Sequence, residues 1–533
     1  MADTVREIER KYEAGDGTTQ ARLPDLSRVA GVATVADRGT AELDAVYYDT
    51  ADRRLTAAGI TLRRRTGGSD AGWHLKLPVA PGTREEIRAP LSPTVPGDLT
   101  DLVRSRIRRA ELTPLVRIVT RRRVQHLLDA HGTVLAEACA DTVTADRLTP
   151  GGRTAHWTEY EVELGEGGDP GFLDTVERRL RKAGLRPSEA PSKLSRALTE
   201  TETPGGTENG GKAKEKTKAK EKTKAKAKGK GKKPGKPGEP TAGEHVLAYV
   251  REQIDAVLAR DPDVRRDVAD SVHQMRVATR RLRSAFRTYR KVLDRQVTDP
   301  VADELKWLAA ELGTDRDREV LTERLEERLG ETDVTLVLGP VPARLTIWSA
   351  SRHQGSRERL TALLDSDRYL TLLDTLDALH TAPPLLPAAA RPAREVLARA
   401  VLRDYARLAA RVEHALATEP GPARDTVLHD SRKAAKRARY AAEAARPGLG
   451  KPAKRFAKRM KSVQSLLGDH QDSVMARATL RGLATEAHGA GESTFTLGLL
   501  YGREEARAAQ DERELPAVWR EAARKRYRKA LRA

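Results

Sequence analysis

Alternation of apolar and polar positions governs roughly the first two hundred residues. The stretches EIERKY (7–12), AVYYDT (45–50), ITLRRRT (60–66), WHLKLPV (73–79), REEIRAP (84–90), IVTRRRVQHLL (118–128), TVLAEACAD (133–141) and EYEVELG (159–165) each read as a β-strand. Gly, Pro and Asp signals such as TGGSDAG and LTPGGR separate them, which predicts antiparallel structure. Two helical patterns interrupt the strands, one near 98–109 and one at 172–185 (FLDTVERRLRKAGL), the latter ending on a glycine stop signal. From about 244 onward the pattern changes to helix spacing, rich in Ala, Leu, Arg and Glu, with no convincing strand.

Successive side chains of a strand point to opposite faces, so the charges can be sorted by face. Glu7, Glu9 and Lys11 share one face opposite Ile8, Arg10 and Tyr12. Arg63 and Arg65 share a face, His74 and Lys76 oppose Trp73, Leu75 and Leu77, and Arg121 pairs with Arg123. Glu137 and Asp141 lie on one side of their strand, and Glu159, Glu161 and Glu163 oppose Tyr160, Val162 and Leu164. Charge is therefore segregated by strand. One reading is a sheet with an ordinary wet face. The other curls the sheet so that the charged faces line an interior, where basic strands grip an anion and acidic strands hold a hard divalent cation such as Mg²⁺ or Mn²⁺.

The helical half carries an internal repeat. HQMRVATRRLRSAF (273–286) matches HDSRKAAKRARYAA (429–442) at an offset of 156 residues, and KWLAAELGTDRDREV (306–320) matches KSVQSLLGDHQDSVM (461–475) at 155. On a helix, His273, Arg276, Arg280 and Arg283 form one stripe with Arg281 beside it, while Met275, Leu282, Phe286 and Tyr289 mark the apolar side. His429, Arg432, Lys436 and Arg439 repeat that stripe, with Lys433 and Arg437 beside it, and Lys306 aligns with Lys461. A solvated basic face is the bland account. Few acids stand at i+4 to relieve the repulsion, which favours neutralisation by a polyanion, and phosphate suits guanidinium donors.

Composition sharpens this picture. The 533-residue chain carries a formal charge of +20, which favours a polyanionic partner. The tract 212–236 alone holds 13 lysines against 2 glutamates, a surplus of +11. That tract sits in a Lys/Gly/Pro segment, 203–243, too polar to bury a core; it is expected to be a disordered linker and admits nonspecific, salt-sensitive contact with nucleic acid. A single cysteine, Cys139, rules out an internal disulfide. No apolar run approaches the roughly 18 residues of a membrane span, and the N-terminus lacks a signal-peptide pattern. The expectation is a soluble, cytoplasmic protein with protein partners unspecified, built as 1–202, 203–243 and 244–533, the last in halves of about 244–390 and 391–533.

Across roughly 244–533, the two His-x-x-Arg helices and the LGTDRD and LGDHQD segments resemble the CHAD family of conserved-histidine α-helical domains. That resemblance implies two four-helix bundles related by a pseudo-twofold axis and a basic surface for inorganic polyphosphate, with association to polyphosphate granules. Its binding set would be His273, Arg276, Arg280, Arg281, Arg283, Lys306, His429, Arg432, Lys433, Lys436, Arg437, Arg439 and Lys461.

Glu7-x-Glu9-x-Lys11, YYDTADRRLTAAGITLRRR (47–65), EYEVEL and Ser192-Lys193 together resemble the CYTH superfamily of triphosphate tunnel metalloenzymes, over about 1–200. The resemblance implies an antiparallel β-barrel tunnel. Lys11, Arg63, Arg65, Lys76, Arg121, Arg123 and Lys193 would bind triphosphate, with Arg84 a further candidate. Glu7, Glu9, Asp141, Glu159, Glu161 and Glu163 would hold the metal or position water, with Glu7, Glu9 and Lys11 at the centre of catalysis. The fold class expected is therefore an N-terminal α+β tunnel barrel, a disordered linker and a C-terminal all-α duplicated bundle.

The implied chemistry is metal-dependent hydrolysis of a terminal phosphoanhydride. Two alternatives compete: a non-catalytic polyphosphate binder with a degenerate tunnel, and an adenylate cyclase-like tunnel enzyme, which needs a nucleoside pocket. The chain shows no P-loop, no nucleophile triad, and no aromatic–basic interleaving of a single-strand binder.

Overall fold

The computed structural model describes residues 3–14, 22–202, 240–313, 316–350 and 356–532. The chain divides into two compact units, Met1–Lys224 and Ala225–Ala533. The expected linker lies outside the described residues except for 240–243, where Thr241 already caps a helix.

The described residues of the first unit form nine strands and four helices. The strands are β1 (Asp3–Ala14), β2 (Thr34–Asp49), β3 (Thr61–Thr66), β4 (Gly72–Ala80), β5 (Thr83–Ala89), β6 (Thr113–Leu128), β7 (Val134–Arg147), β8 (Thr154–Leu164) and β9 (Leu185–Pro187). The helices are α1 (Arg54–Ala57), α2 (Gly97–Ile107), α3 (Gly171–Lys182) and α4 (Lys193–Glu200). The sheet runs β5-β4-β3-β2-β6-β7-β8-β1-β9, and pairing of β1 with β5 closes its first eight strands into an antiparallel barrel.

The barrel is inverted relative to a soluble barrel with an oily interior. Its apolar faces point outward and are covered by helices. Leu62, Trp73, Leu75 and Ile87 of β3–β5 bury against α1 and α2 through Leu55, Leu99, Leu102 and Val103. Tyr12, Ala138, Tyr160 and Val162 bury against α3 through Leu173, Val176 and Leu180. Helix α4 packs Leu194, Ala197 and Leu198 on inward-facing Ala45, Tyr47, Ile118 and Trp157, so part of the interior is filled. The YYDT segment has a plain structural basis: Asp49, fully buried, accepts backbone N–H bonds from Thr50, Leu55 and Thr56 and so fixes the turn from β2 into α1.

The second unit is helical throughout its described residues: α5 (Ala242–Arg265), α6 (Ser271–Thr288), α7 (Arg295–Glu311), α8 (Arg316–Gly330), α9 (Val341–Ala350), α10 (Ser356–Asp365), α11 (Asp367–Thr381), α12 (Ala393–Ala417), α13 (Pro422–Ala444), α14 (Arg446–Leu449), α15 (Lys451–Gly489), α16 (Phe495–Ala522) and α17 (Lys525–Arg532). No described helix is long and apolar enough to cross a membrane. The sequence repeat maps onto α6 with α13, and α7 with the first half of α15. The copies then diverge. α7 stops at Glu311 and α8 begins at Arg316, whereas α15 runs unbroken through Leu467 and Gly468. The halves share one core, with Met275, Leu282 and Phe286 of α6 in the same apolar cluster as Ala434, Ala438 and Ala441 of α13. A smaller cluster joins α8 and α9 to the later part of α15 and the start of α16.

Beside that cluster, the Arg324 guanidinium donates to Asp469 at 2.9 Å and to Glu504 and Ser473 at 2.8 Å. Asp511 on α16 lies close by, 2% exposed, with its Oδ2 lacking a hydrogen-bond partner. Burial and then the Asp469 charge push its carboxyl up to about 6. Folding therefore favours the protonated acid: stability falls as pH rises from about 4 through 6, and the cost is complete above that window. Asp511→Asn is expected to stabilise this unit by about 1–3 kcal/mol at pH 8, with the gain shrinking toward pH 4. Denaturant unfolding at both pH values checks this, and an equal effect at the two would rule it out.

Candidate functional site

Register carries one set of side chains around the whole inner wall. Lys11 stands opposite Glu161, which stands opposite Cys139. Glu9 pairs in register with Glu163, and Glu163 with Glu137. On the other arc, Tyr47 faces Arg63, Arg63 faces His74, and Lys76 faces Glu86. All of these except Cys139 and His74 line a cavity of about 860 Å³ inside the barrel. Glu7, Glu9, Lys11, Arg63, Arg65, Lys76, Arg84, Glu161 and Glu163 reach it from inward strand positions, and Lys193 reaches it from the start of α4.

One arginine pair is misplaced by the sequence reading. In β6 the inward positions are Ile118, Thr120, Arg122, Val124 and His126. Arg121 and Arg123 point away; Arg121 is exposed, and Arg123 pairs with Asp37 on the surface at 2.5 Å. Three consecutive arginines satisfy either phase of a period-two pattern, so alternation could not choose between them. The residue that enters the cavity is Arg122. Its guanidinium bonds both oxygens of Asp141, at 2.9 and 2.7 Å, and also contacts Glu161.

The acidic centre is Asp141, Glu159 and Glu161, whose carboxylate oxygens lie within 4.8 Å of one another. At its middle sits the Lys193 ammonium, 2.8 Å from Asp141 and 2.7 Å from each of Glu159 and Glu161. Ser192 caps α4 by accepting from the Ser195 N–H, and that turn presents Lys193 to the trio. The Trp157 indole donates to Glu159 at 2.6 Å and fixes that side chain. Burial opposes every one of these charges. Nearby cations overcome it, with Lys193 and Arg122 holding Asp141, and Lys11, Lys193 and Arg122 holding Glu161, below the usual carboxylate range. The carboxylates in turn raise Lys193 well above an ordinary lysine.

A second acidic group sits along β1 and β8. Glu7 takes the Lys76 ammonium at 2.5 Å, and Lys11 and Lys76 outweigh burial to pull Glu9 down to about 2. Glu163 fares differently: burial, then Glu7 and Glu9, push it up to about 7. Sequence reasoning missed Glu86, 1% exposed, which draws His74 (2.9 Å), Arg88 (2.6 Å) and Lys76 (3.5 Å) together. The REEIRAP alternation put Glu86 on one face of β5, but nothing in the sequence showed which face turned inward. Tyr47 was also missed; its hydroxyl accepts from Arg63 at 3.3 Å.

A family model of the CYTH domain matches residues 5–197, and one of the CHAD domain matches 248–481. Two uncharacterized proteins of Mycobacterium tuberculosis, from strains CDC 1551 and H37Rv, are each 38% identical over 541 aligned positions, covering 96% of this chain and 96% of their own. This chain belongs to the CYTH–CHAD family. Among solved structures, the CHAD domain of the plant Ricinus communis is 26% identical, covers 55% of this chain and 93% of its own, and superposes with a TM-score of 0.41. A Hippeastrum adenylyl cyclase described as having a dominant triphosphatase activity is 20% identical over 37% of this chain and 98% of its own, with a TM-score of 0.24. CYTH domains hydrolyse triphosphates or cyclise nucleotides, and they depend on a metal.

In the CHAD half, the LG pairs of the two copies acquire a physical role. A Cβ on Gly313 would lie 2.7 Å from Arg276 Nη2, and one on Gly468 would lie 3.3 Å from Arg432 Nη2, so each arginine of the His-x-x-Arg motif rests on the glycine of its own copy. The expected binding cations are not equivalent, however. On α13, Arg439 pairs with Glu443 at 2.7 Å, Arg437 with Asp404 at 3.0 Å, Lys433 with Asp430 at 3.2 Å, and Arg432 with Asp472 at 3.6 Å. Two of those acids, Asp404 on α12 and Asp472 on α15, stand on neighbouring helices, beyond the reach of an i+4 search, while Asp430 and Glu443 lie on α13 itself. On α6, Arg281 reaches Glu443 at 3.5 Å, while Arg280 and Arg283 form no ion pair among the described residues. His273, Lys436 and His429 are half-buried on their helices, and Lys306 and Lys461 are exposed.

The Lys193 ammonium occupies a position a divalent cation could take, and the donors around it are all hard oxygens. Lys193→Met is expected to destabilise the first unit by about 3–5 kcal/mol, because three carboxylates then face one another. Added Mg²⁺ or Mn²⁺ should restore much of the loss. Thermal unfolding with and without the ion measures this; a loss that no divalent cation recovers would show that the trio does not accept a metal.

Proposed function

We propose that the barrel hydrolyses the terminal phosphoanhydride of inorganic triphosphate or polyphosphate with Mg²⁺ or Mn²⁺, and that the helical unit binds polyphosphate. The division follows the expected boundaries, 1–202 and 244–533, with 203–243 between them, in a cytoplasmic protein. One observation carries the reading: guanidinium and ammonium groups line one barrel cavity together with Glu161, whose carboxylate converges with those of Asp141 and Glu159 on one cation position.

Asp141, Glu159 and Glu161 would hold the ion, with Glu7, Glu9 and Glu163 on the adjoining wall. When bound, the ion supplies charge neutralisation to phosphate oxygens. Arg63, Arg65, Lys76 and Arg122 bind the chain, and their fixed donors stabilise charge that spreads over the phosphoryl oxygens in the transition state. Lys11, between Glu9 and Glu161, joins the two acidic groups and orients phosphate toward both. Glu7, Glu9 and Glu163 surround the space left for an attacking water and position it by hydrogen bonding. Among the described lining residues Tyr47 is the one Phe, Tyr or Trp side chain, and it is buried with its hydroxyl engaged by Arg63; the other ring is His126. That offers a nucleobase little surface to stack on and favours an inorganic chain over a cyclase reaction.

Phosphate release from tripolyphosphate, long-chain polyphosphate and ATP, with each metal in turn, tests the proposal. Turnover is expected on the inorganic substrates, with Glu159→Gln/Glu161→Gln lowering kcat at least about a thousandfold. Arg122→Met should raise KM and lower kcat, whereas Arg121→Met/Arg123→Met should stay within about threefold of the parent. No release from any substrate, by a protein that still retains polyphosphate, would sink the catalytic reading.

A further inference from the structure

Strand β2 changes phase partway along its length. Ala41, Leu43, Ala45 and Tyr47 line the cavity, so strict alternation would turn Arg38 outward. Arg38 lines the cavity instead. Between the pairs Asp37–Gln125 and Thr40–Arg123, two residues of β2, Arg38 and Gly39, stand opposite one residue of β6, Val124. This is a β-bulge, a device that re-aims a side chain. Gly39 takes φ +84°, a left-handed conformation suited to glycine, and its N–H donates to Asp37 at 2.9 Å, which holds the bulge. The extra residue reverses the phase. Asp37 pairs with Arg123 on the surface, and Arg38 turns in.

The re-aimed side chain belongs to a hydrogen-bonded row. Arg38 Nε donates to His126 Nδ1 at 3.2 Å, so the imidazole proton sits on Nε2, which donates to Glu137 at 3.2 Å. The Cys139 thiol donates to the other oxygen of Glu137 at 3.4 Å. The row fixes the guanidinium through Nε and leaves its two Nη groups to bind elsewhere. Of the lysines and arginines lining the cavity, only Arg38 and Arg84 form no ion pair among the described residues. Arg84 donates to the Pro191 carbonyl at 2.9 Å, next to the start of α4.

Arg38 lies near the start of β2, His126 near the end of antiparallel β6, and Glu137 near the start of β7, so the row stands at one end of the barrel. Helix α4 packs on the opposite halves of these strands, at Tyr47, Ile118 and Val143, and fills the other end. His126 is four residues beyond Arg122 on β6, a rise of about 13 Å at about 3.3 Å per residue. Arg38, Gly39 and Thr40 are exposed. A phosphate chain with its terminus at Asp141, Glu159 and Glu161 has this end as its way out, past Arg38. Glu137 and Glu163 also line this end and repel phosphate from the β7–β8 side, which leaves the β2 side to the chain.

We propose that Arg38, held by His126, is an entry subsite for a phosphate beyond the terminal three, and that it makes the barrel favour inorganic chains longer than tripolyphosphate. The inference rests on the reading of the barrel as a site for inorganic phosphate chains and deepens it to chain length. Two free Nη groups on a planar guanidinium match the oxygens of one phosphate. The Nε bond to His126 holds the side chain in place before the chain arrives, which lowers the cost of ordering it. His126 is a positioning residue, acting through Arg38.

The test measures phosphate release by the full-length protein from tripolyphosphate, a medium-chain polyphosphate and ATP. Arg38→Met is expected to lower the ratio of kcat/KM on the medium chain to that on tripolyphosphate at least about tenfold, with the loss in KM. Arg38→Lys keeps the charge but loses the bond to His126, and its ratio should fall between. His126→Leu should lower the ratio about threefold, and Arg38→Met/His126→Leu should cost no more than Arg38→Met alone. Arg117→Met, at an outward position of β6 paired with Asp44, should leave the ratio unchanged. An unchanged ratio in Arg38→Met, a loss on ATP as large as on the medium chain, or additive losses in the double variant would each overturn the proposal. Hydrogen exchange of the β2 amides, without added divalent cation, reads binding apart from turnover. The medium chain should slow exchange around Arg38–Thr40 more than tripolyphosphate does, and Arg38→Met should abolish that difference. The difference without phosphate release from any substrate sinks hydrolysis and leaves the subsite standing; release without the difference sinks the subsite and leaves hydrolysis standing.

Discussion

The contact between the Lys193 ammonium and three carboxylates is the constraint around which the first unit is arranged. An ammonium has three protons, and Asp141, Glu159 and Glu161 each place an oxygen at 2.7–2.8 Å from it. Charges this deeply buried are tolerable only when paired. The barrel therefore needs α4 seated with Lys193 inward, and α4 stays there because Leu194, Ala197 and Leu198 pack on the apolar part of the interior. The same helix that completes the core also supplies the cation.

That arrangement has a functional corollary. Without ligands, the cations of the cavity are occupied by its own acids: Lys76 by Glu7, Arg122 by Asp141 and Glu161, Lys11 by Glu9 and Glu161. A triphosphate chain competes for those cations, and a divalent ion competes for those acids. Each partner frees groups the other requires, so ion and anion are expected to bind with positive coupling. Glu163, pushed up to about 7 by burial and by its neighbouring carboxylates, marks where negative charge is least compensated.

Much of this was legible in the sequence because a barrel strand has a strict period of two. Glu7, Glu9 and Lys11 had to share a face, as did Arg63 with Arg65 and Glu159 with Glu161, whatever the tertiary fold. Phase was the weak link: Arg121, Arg122 and Arg123 satisfy both phases, and only pairing of β6 with β7, which sets Arg122 beside Asp141, decides. Glu86 and Tyr47 were illegible for a related reason. Each sat in a strand that had been recognised, but its role depends on neighbours reached through register.

Helices expose a different limit. Their period reveals which residues share a stripe, and the α6 and α13 stripes match closely in sequence. Neutralisation is settled elsewhere. Asp404 and Asp472 lie outside the basic stretches they serve, on α12 and α15, and they quiet α13 while leaving the end of α6 unrelieved. Duplication would have begun with two equivalent basic helices. Acids on α12 and α15 hold Arg437 and Arg432 of α13 in place within the bundle, while Arg281 of α6 reaches across to Glu443. A duplicated motif can thus remain alike in sequence while its copies part in physical role.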